Sequence, residues 1–75
     1  MPKLRRLSGR EVCSILKQQG FAPVRQRGSH IIMRRSLPGN DSRTVPVPDH
    51  KELDTGTLSG IIRQSGLDRS LFMTG

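Results

Sequence analysis

A basic run in the first half of the chain decides the fold: Arg25-Gln26-Arg27-Gly28-Ser29-His30-Ile31-Ile32-Met33-Arg34-Arg35. Gly28-Ser29 is typical of the tight turn of a β-hairpin, with an extended segment on each side. His30 follows the turn directly, and four arginines lie within five residues of it. Histidine transfers protons near neutral pH, and the arginines attract polyanions. His30 is therefore the best candidate for chemistry, and a phosphodiester is the substrate that the run suggests.

The same run has a plainer interpretation. Gly28-Ser29 would be an ordinary hairpin turn, His30 a surface residue of a strand, and the arginines a source of solubility. The tripeptide Gly-Ser-His is too common to decide between the two interpretations by itself.

Prolines predict the order of the strands. Two predicted strands contain them, residues 21–27 and residues 44–48. Proline donates no backbone hydrogen bond, so both strands must lie at sheet edges. The proline-free strand, residues 30–36, takes the centre. This predicts a three-stranded antiparallel meander with a tight first turn and a longer second loop at residues 37–42.

Alternation along the central strand separates two faces. One face carries Ile31, Met33 and Arg35, and the other carries His30, Ile32 and Arg34. We assign Ile31 and Met33 to the hydrophobic core, which leaves His30 on the open face with Arg34 beside it.

A capping box begins the first helix. Ser8 and Glu11 have the Ser-x-x-Glu spacing in which each side chain bonds the backbone amide of the other. Apolar residues then recur at the spacing of one helical face, and Gly20 can adopt the left-handed conformation that ends a helix. The pattern predicts a helix over residues 9–19.

A second helix follows the strands. After a polar connector at residues 49–54, an apolar stripe and the stop residue Gly66 predict a helix over residues 57–65.

The chain ends in a short turn. Asp68 can cap a turn over residues 68–72 that brings Leu71 and Phe72 onto the core, and we expect the last residues to be frayed. The prediction is one small α+β domain: a helix, the three-stranded meander and a second helix. Both helices lie on one sheet face, because only that arrangement buries both apolar stripes.

Charge is concentrated in the first half of the chain. Residues 1–36 carry nine Lys or Arg and one acid, whereas residues 37–75 carry four Lys or Arg and five acids. The net charge is +7 and the isoelectric point is about 11.4. This asymmetry favours a nucleic acid or another acidic partner for the basic half.

The single cysteine, Cys13, excludes an intrachain disulfide and suits a reducing cytoplasm. Apolar neighbours indicate that Cys13 is a buried side chain rather than a reactive thiol. One cysteine and two distant histidines predict no metal site, and we expect no cofactor. No segment has the length of a membrane span, so we expect no membrane partner.

An ordered set of short motifs resembles the HicA family of toxin ribonucleases. The motifs run through almost the whole chain: Leu7-Ser8-Gly9-Arg10-Glu11, Gly20-Phe21, Arg25-Gln26-Arg27-Gly28-Ser29-His30, Val45-Pro46-Val47-Pro48-Asp49-His50-Lys51-Glu52-Leu53, Gly56-Thr57-Leu58 and Ile61-Ile62-Arg63-Gln64-Ser65-Gly66-Leu67. The individual motifs are short, but their order and spacing are fairly specific.

The resemblance implies a fold like a double-stranded-RNA-binding domain, cleavage of messenger RNA, and neutralisation by a HicB-type antitoxin in a type II toxin–antitoxin system. The family's catalytic histidine follows Gly-Ser and maps onto His30. The toxin would be a metal-independent endoribonuclease of the cytoplasm, and we expect it to be monomeric without its antitoxin. The residues expected to contact RNA are Arg25, Arg27, Gly28, Ser29, Arg34 and Arg35.

Two rivals stay open. A non-catalytic RNA-binding module would use the same fold and the same arginines, and only the enzyme needs His30. A basic adaptor for an acidic protein explains the charge but not the placement of His30. The second histidine, His50, has a loop position that favours a structural or antitoxin-contacting role.

Overall fold

The computed structural model describes residues 3–74 of the 75-residue chain. Its elements, in chain order, are β1 (Lys3–Leu4), α1 (Gly9–Gln18), β2 (Ala22–Arg27), β3 (His30–Leu37), β4 (Asp41–Pro48), α2 (Thr55–Ser65) and β5 (Met73–Thr74). Single 3₁₀ turns at Pro38–Asn40 and Arg69–Phe72 precede β4 and β5. The α+β class, with two helices and a three-stranded antiparallel sheet, is confirmed.

The main sheet is an antiparallel meander in the order β2-β3-β4. The strand order predicted from the prolines is therefore confirmed. Pro46 lies opposite Ile32, whereas Val45 lies opposite Met33. Proline has no amide hydrogen, so Pro46 falls where the ladder needs no donor, and Val45 takes the neighbouring hydrogen-bonding position.

The connection between β3 and β4 is shorter than predicted. Residues 37–42 do not form a long loop, because Leu37 pairs directly with Asp41. The chain reverses at Gly39 and Asn40, whose φ angles are 78° and 63°. Glycine and asparagine adopt the left-handed conformation more readily than other residues. A three-residue turn is therefore enough, and β4 starts before the predicted residue.

The capping box is confirmed at the start of α1. The Ser8 hydroxyl accepts a hydrogen bond from the Glu11 amide at 3.0 Å, and the Glu11 carboxylate accepts one from the Ser8 amide at 2.9 Å. The bond from the Ser8 backbone lowers the pKa of Glu11. Gly20 follows the helix with a φ of 98°, as its predicted role requires.

Helix α2 begins at Thr55, two residues before the predicted start, and ends at Ser65 as predicted. Gly66 follows in the left-handed conformation with a φ of 72°. Arg43 of β4 covers this end of the helix, because its Nη1 atom donates to the Gln64 carbonyl at 3.2 Å. A cation at a helix C-terminus also interacts favourably with the helix dipole.

The C-terminal turn is only partly as predicted. The Asp68 carboxylate accepts a hydrogen bond from the Ser70 amide at 2.9 Å and caps the turn. Phe72 is fully buried, but Leu71 is exposed, so the prediction that Leu71 joins the core is wrong. Successive residues of a 3₁₀ turn point in directions about a third of a turn apart, so Leu71 and Phe72 do not share a face.

The two ends of the described chain are paired. Strand β1 bonds antiparallel to β5, so the expectation of frayed ends is wrong for Met73–Thr74. Gly75 lies outside the described residues. The Arg5 amide also donates to the Phe72 carbonyl at 2.9 Å. Residues 3–6, which we call the N-terminal arm, are thereby tied to the C-terminal segment.

Both helices pack on one face of the main sheet, as predicted. Their apolar side chains share a core with Met33, Val45 and Val47, and Ile31 packs at its margin. The core assignment of Ile31 and Met33 is therefore confirmed. The connector before α2 is not wholly polar, because Leu53 is buried. Within residues 3–74, neither helix combines the length and the apolar character that a membrane span requires.

Candidate functional site

The side of the main sheet away from the helices is open to solvent, and we call it the open face. His30 lies at one corner of this face as the first residue of β3. Its neighbours across the sheet are Arg27 on β2 and Pro48 on β4. The side chain of His30 is exposed. Its imidazole is thus accessible to a large substrate.

The hairpin turn before His30 is built as the sequence predicts. Gly28 has a φ of 58°, and Ser29 has no positive φ, which is the pattern of a type II′ turn. The side-chain amide of Gln26 donates to the Gly28 carbonyl at 3.2 Å. The Ser29 carbonyl accepts a hydrogen bond from the Asp49 amide at 2.7 Å. The turn is therefore bonded to the segment that follows β4, which fixes the backbone next to the imidazole.

The start of α1 packs against that same segment. The Gly9 amide donates to the His50 carbonyl at 2.9 Å, and a β-carbon on Gly9 would overlap the Pro48 carbonyl oxygen. The Arg10 Nε atom also donates to Asp49 Oδ1 at 3.2 Å, and this hydrogen bond raises the pKa of Arg10. The packing of Gly9 against Pro48 was not predicted from the sequence. A glycine at the first helical position, where better helix formers are available, is the signal that indicates a close backbone approach.

Three of the four predicted arginines share the open face with His30. Arg27 lies directly opposite His30, and Arg25 lies one step further along β2 on the same face. Arg34 lies four residues along β3, about 13 Å from His30 at the usual rise of a strand, so it is on the predicted face but not beside the imidazole. All three are exposed, and none forms an ion pair with another described residue. Their charge is available to a polyanion.

Arg35 does not belong to this group. Side chains alternate along a strand, so Arg35 projects toward the helices, whereas Arg34 projects to the open face. The Arg35 Nε atom lies 3.5 Å from the position that a β-carbon on Gly20 would occupy. The structure therefore places Arg35 under the end of α1 and does not bring it together with His30.

The remaining polar candidates lie elsewhere. His50 is exposed in the segment between β4 and α2. Cys13 is buried, and its burial raises the pKa of the thiol, which favours the unreactive protonated form. In the part of the chain that the structure describes, no three His, Cys, Asp or Glu side chains cluster closely enough to hold a metal ion.

Apolar side chains lie among the arginines of the sheet. Ile32 is 8% exposed although it projects away from the helices, so neighbouring side chains of the sheet cover it. Val24 is 52% exposed and lies at a register shift between Pro23 and Arg25. A bulge adds a residue without a partner and redirects side chains. Nothing in the alternation of the sequence predicts its position.

Comparison with known proteins gives the family. Searches of curated protein sequences and of solved structures found no significant match. The family model for the HicA toxin of bacterial toxin–antitoxin systems matches residues 9–67, which include both helices and the whole main sheet. Since this match covers most of the 75 residues, the chain belongs to the HicA toxin family and is the toxin component of a toxin–antitoxin pair.

Proposed function

We propose that this toxin is an endoribonuclease that cleaves messenger RNA, with His30 as its general base or general acid. The observation that carries the proposal is the exposed His30 directly opposite Arg27, on a sheet face that neither helix covers. Arg25 and Arg34 extend the positive surface along the sheet, away from the turn. A messenger RNA substrate puts the action of the toxin in the cytoplasm.

The chemistry requires only a proton acceptor and a stabilised phosphate. The imidazole of His30 accepts the proton of a ribose 2′-hydroxyl while the 2′-oxygen bonds to the adjacent phosphorus. The bond from phosphorus to the 5′-oxygen breaks, and that oxygen takes a proton from water. The products are a 2′,3′-cyclic phosphate and a 5′-hydroxyl. In the converse arrangement, protonated His30 gives its proton to the leaving 5′-oxygen, and water takes the proton of the attacking 2′-hydroxyl.

Groups around His30 can stabilise the charge of the transition state. Arg27 is the nearest cation across the sheet, and a guanidinium fork suits phosphate oxygens. The amides of Gly28 and Ser29 have no hydrogen-bond acceptor among the described residues. They are therefore available to a phosphate oxygen, as donors from a rigid turn.

The family implies an antitoxin partner. We propose that a HicB-type antitoxin covers the open face together with His30. The exposed Val24 offers apolar area to such a partner, and the unpaired arginines attract acidic side chains. One interface would then both block the substrate and neutralise the positive charge.

A non-catalytic RNA-binding module remains the second candidate, and one observation favours it. Both aromatic residues, Phe21 and Phe72, are buried, so neither can stack on the bases of a single strand. Recognition through phosphates and shape, which is how duplex RNA is bound, needs the arginines but not His30.

A cleavage assay separates the two candidates. Purified toxin is incubated with a structured messenger RNA in the presence and absence of EDTA, and the fragment ends are identified. We expect cleavage that survives EDTA and leaves 2′,3′-cyclic phosphates, because the imidazole itself takes the proton. Intact RNA that stays bound to the toxin would establish the binding module instead.

A further inference from the structure

A groove of about 840 Å³ lies outside the open face. It is bounded by the N-terminal arm, the connector before α2, the first residue of α2 and the C-terminal turn. Leu53 and Leu58, which belong to the core, contribute to its lining. The paired strands β1 and β5 contribute Lys3, Leu4 and Met73 to the lining.

Backbone hydrogen bonds fix the walls of the groove. Besides the β1–β5 pairing, the Arg5 amide donates to the Phe72 carbonyl, and the Leu53 amide donates to the Leu7 carbonyl at 2.8 Å. Backbone hydrogen bonds at Arg5 and at Leu7 therefore fix the chain on both sides of Arg6. Side chains displayed from a fixed backbone lose less entropy when they bind a ligand than side chains on a free tail do.

The groove is positively charged. Arg5, Arg6 and Arg69 line it from two separate segments, and all three are exposed. None of them forms an ion pair with another residue in the part of the chain that the structure describes. Arginine forks match phosphate oxygens in geometry as well as in charge. These features favour an anionic ligand with phosphate groups.

Two carboxylates, Glu52 and Asp54, also line the groove. The Asp54 carboxylate makes no capping hydrogen bond at the start of α2, yet the nearby Thr57 hydroxyl and amide lower its pKa. The cations of the groove still outnumber its carboxylates by two, since Lys3 lies in the same wall.

A series of backbone contacts connects the groove to the His30 corner. Asp49 bonds to Ser29, the residue before His30, and Gly9 bonds to His50. Glu52 is three residues beyond Asp49, so at most about 11 Å of extended chain separates them. One wall of the groove therefore begins close to the residue that bonds to the turn before His30.

We propose that this groove is a second phosphate-binding site, which holds the backbone of the substrate RNA beyond the phosphate that is cleaved. The proposal rests on the proposed function, because it needs RNA as the ligand of the open face. Arg6 and Arg69 are positioning residues that contact phosphates distant from the chemistry. The arginine lining and the proximity to the His30 corner favour RNA over an acidic segment of the antitoxin as the occupant.

The test compares two double variants that remove the same charge. Arg6→Gln/Arg69→Gln empties the groove of two cations, and Lys17→Gln/Arg63→Gln removes two exposed cations from the outer surfaces of α1 and α2. Both are made with His30→Ala so that RNA stays intact, and binding of a labelled fragment of structured messenger RNA is measured over a range of salt concentrations. The groove variant should bind RNA roughly tenfold more weakly than its parent. The salt slope, which is the slope of the logarithm of the binding constant against the logarithm of the salt concentration, should be smaller in magnitude by about 1.5. The control variant should change both quantities much less.

The outcomes are distinct. Equal binding by the two double variants would overturn the groove proposal and leave cleavage at His30 untouched. If the groove variant lost affinity for the antitoxin but not for RNA, the groove would be a protein-docking surface and the proposal would be wrong. A parent protein that binds no RNA, together with a wild-type toxin that cuts none, would refute the proposed function and the groove proposal with it.

Discussion

Gly9 packs so closely against Pro48 that a β-carbon on Gly9 would overlap the Pro48 carbonyl oxygen. Pro48 is also the residue of β4 that lies directly opposite His30. The contact therefore joins the start of α1 to the strand residue that pairs with His30, the proposed catalytic residue.

Gly9→Ala should destabilise the toxin by about 1–3 kcal/mol, because the new methyl group overpacks a rigid backbone contact. Gly60→Ala is the matched control within a helix. Its β-carbon would lie 3.9 Å from Arg63 Nη2 as its nearest contact, so alanine should stabilise α2 by about 0.5–1 kcal/mol. Urea denaturation measures both changes in the free energy of unfolding. If both substitutions changed the free energy of unfolding in the same direction, the lack of space at Gly9 would not be the cause of its effect.

Val45→Pro should cost at least about 2 kcal/mol of stability, because it removes a buried ladder hydrogen bond to β3. Pro46→Ala should stay within about 0.5 kcal/mol of wild type, since Pro46 is exposed and donates nothing. Thermal and urea unfolding of the two variants check the prediction. If Val45→Pro and Pro46→Ala changed the stability by the same amount, the assignment of β4 as an edge strand would be contradicted.

Much of the fold was predictable because single residues constrain it strongly. Ser8 and Glu11 form the first cap through their own side chains, and the prolines exclude all strand orders except the meander. The elements that were missed depend on distant partners. Strand β1 has two residues and no periodicity of its own, and it exists only because Met73–Thr74 returns beside it.

The local geometry of the candidate site was predictable to a similar extent. The Gly28–Ser29 turn is local, so the sequence predicts it together with the exposure of His30. Arg35 is close to His30 in sequence, but the period of two puts it on the opposite face from Arg34, so closeness in sequence does not place it beside His30. The contact of Gly9 with Pro48 joins residues far apart in the chain, so a glycine in the helix indicates a close approach but does not identify Pro48 as its partner.

Arg25→Gln/Arg27→Gln should weaken RNA binding by roughly tenfold and lower its salt slope by about 1.5, because two phosphate contacts are lost from the open face. Lys17→Gln/Arg63→Gln serves again as the charge-matched control. Binding is followed by fluorescence anisotropy at several salt concentrations, with cleavage measured in parallel. The idea of an open-face RNA surface fails if the control variant weakens binding as much.

Antitoxin binding should hide His30. Chemical modification of the imidazole, followed by mass spectrometry, should be fast in the free toxin and strongly slowed in the toxin–antitoxin complex. Loss of Arg25 and Arg27 should also slow complex formation, because opposite charge speeds the encounter. A complex in which His30 reacts at the rate of the free toxin would contradict the proposed interface.

The most direct test of the account compares His30→Ala with His50→Ala, since these are the two imidazoles of the chain. Each purified variant is checked for folding and then incubated with a structured messenger RNA, and both cleavage and binding are measured. His30→Ala should keep its affinity for RNA, which depends mainly on the arginines, while cleavage falls by about 100-fold or more. His50→Ala should still cleave. A folded His30→Ala protein that cuts RNA as fast as wild type would show that His30 is not the catalyst.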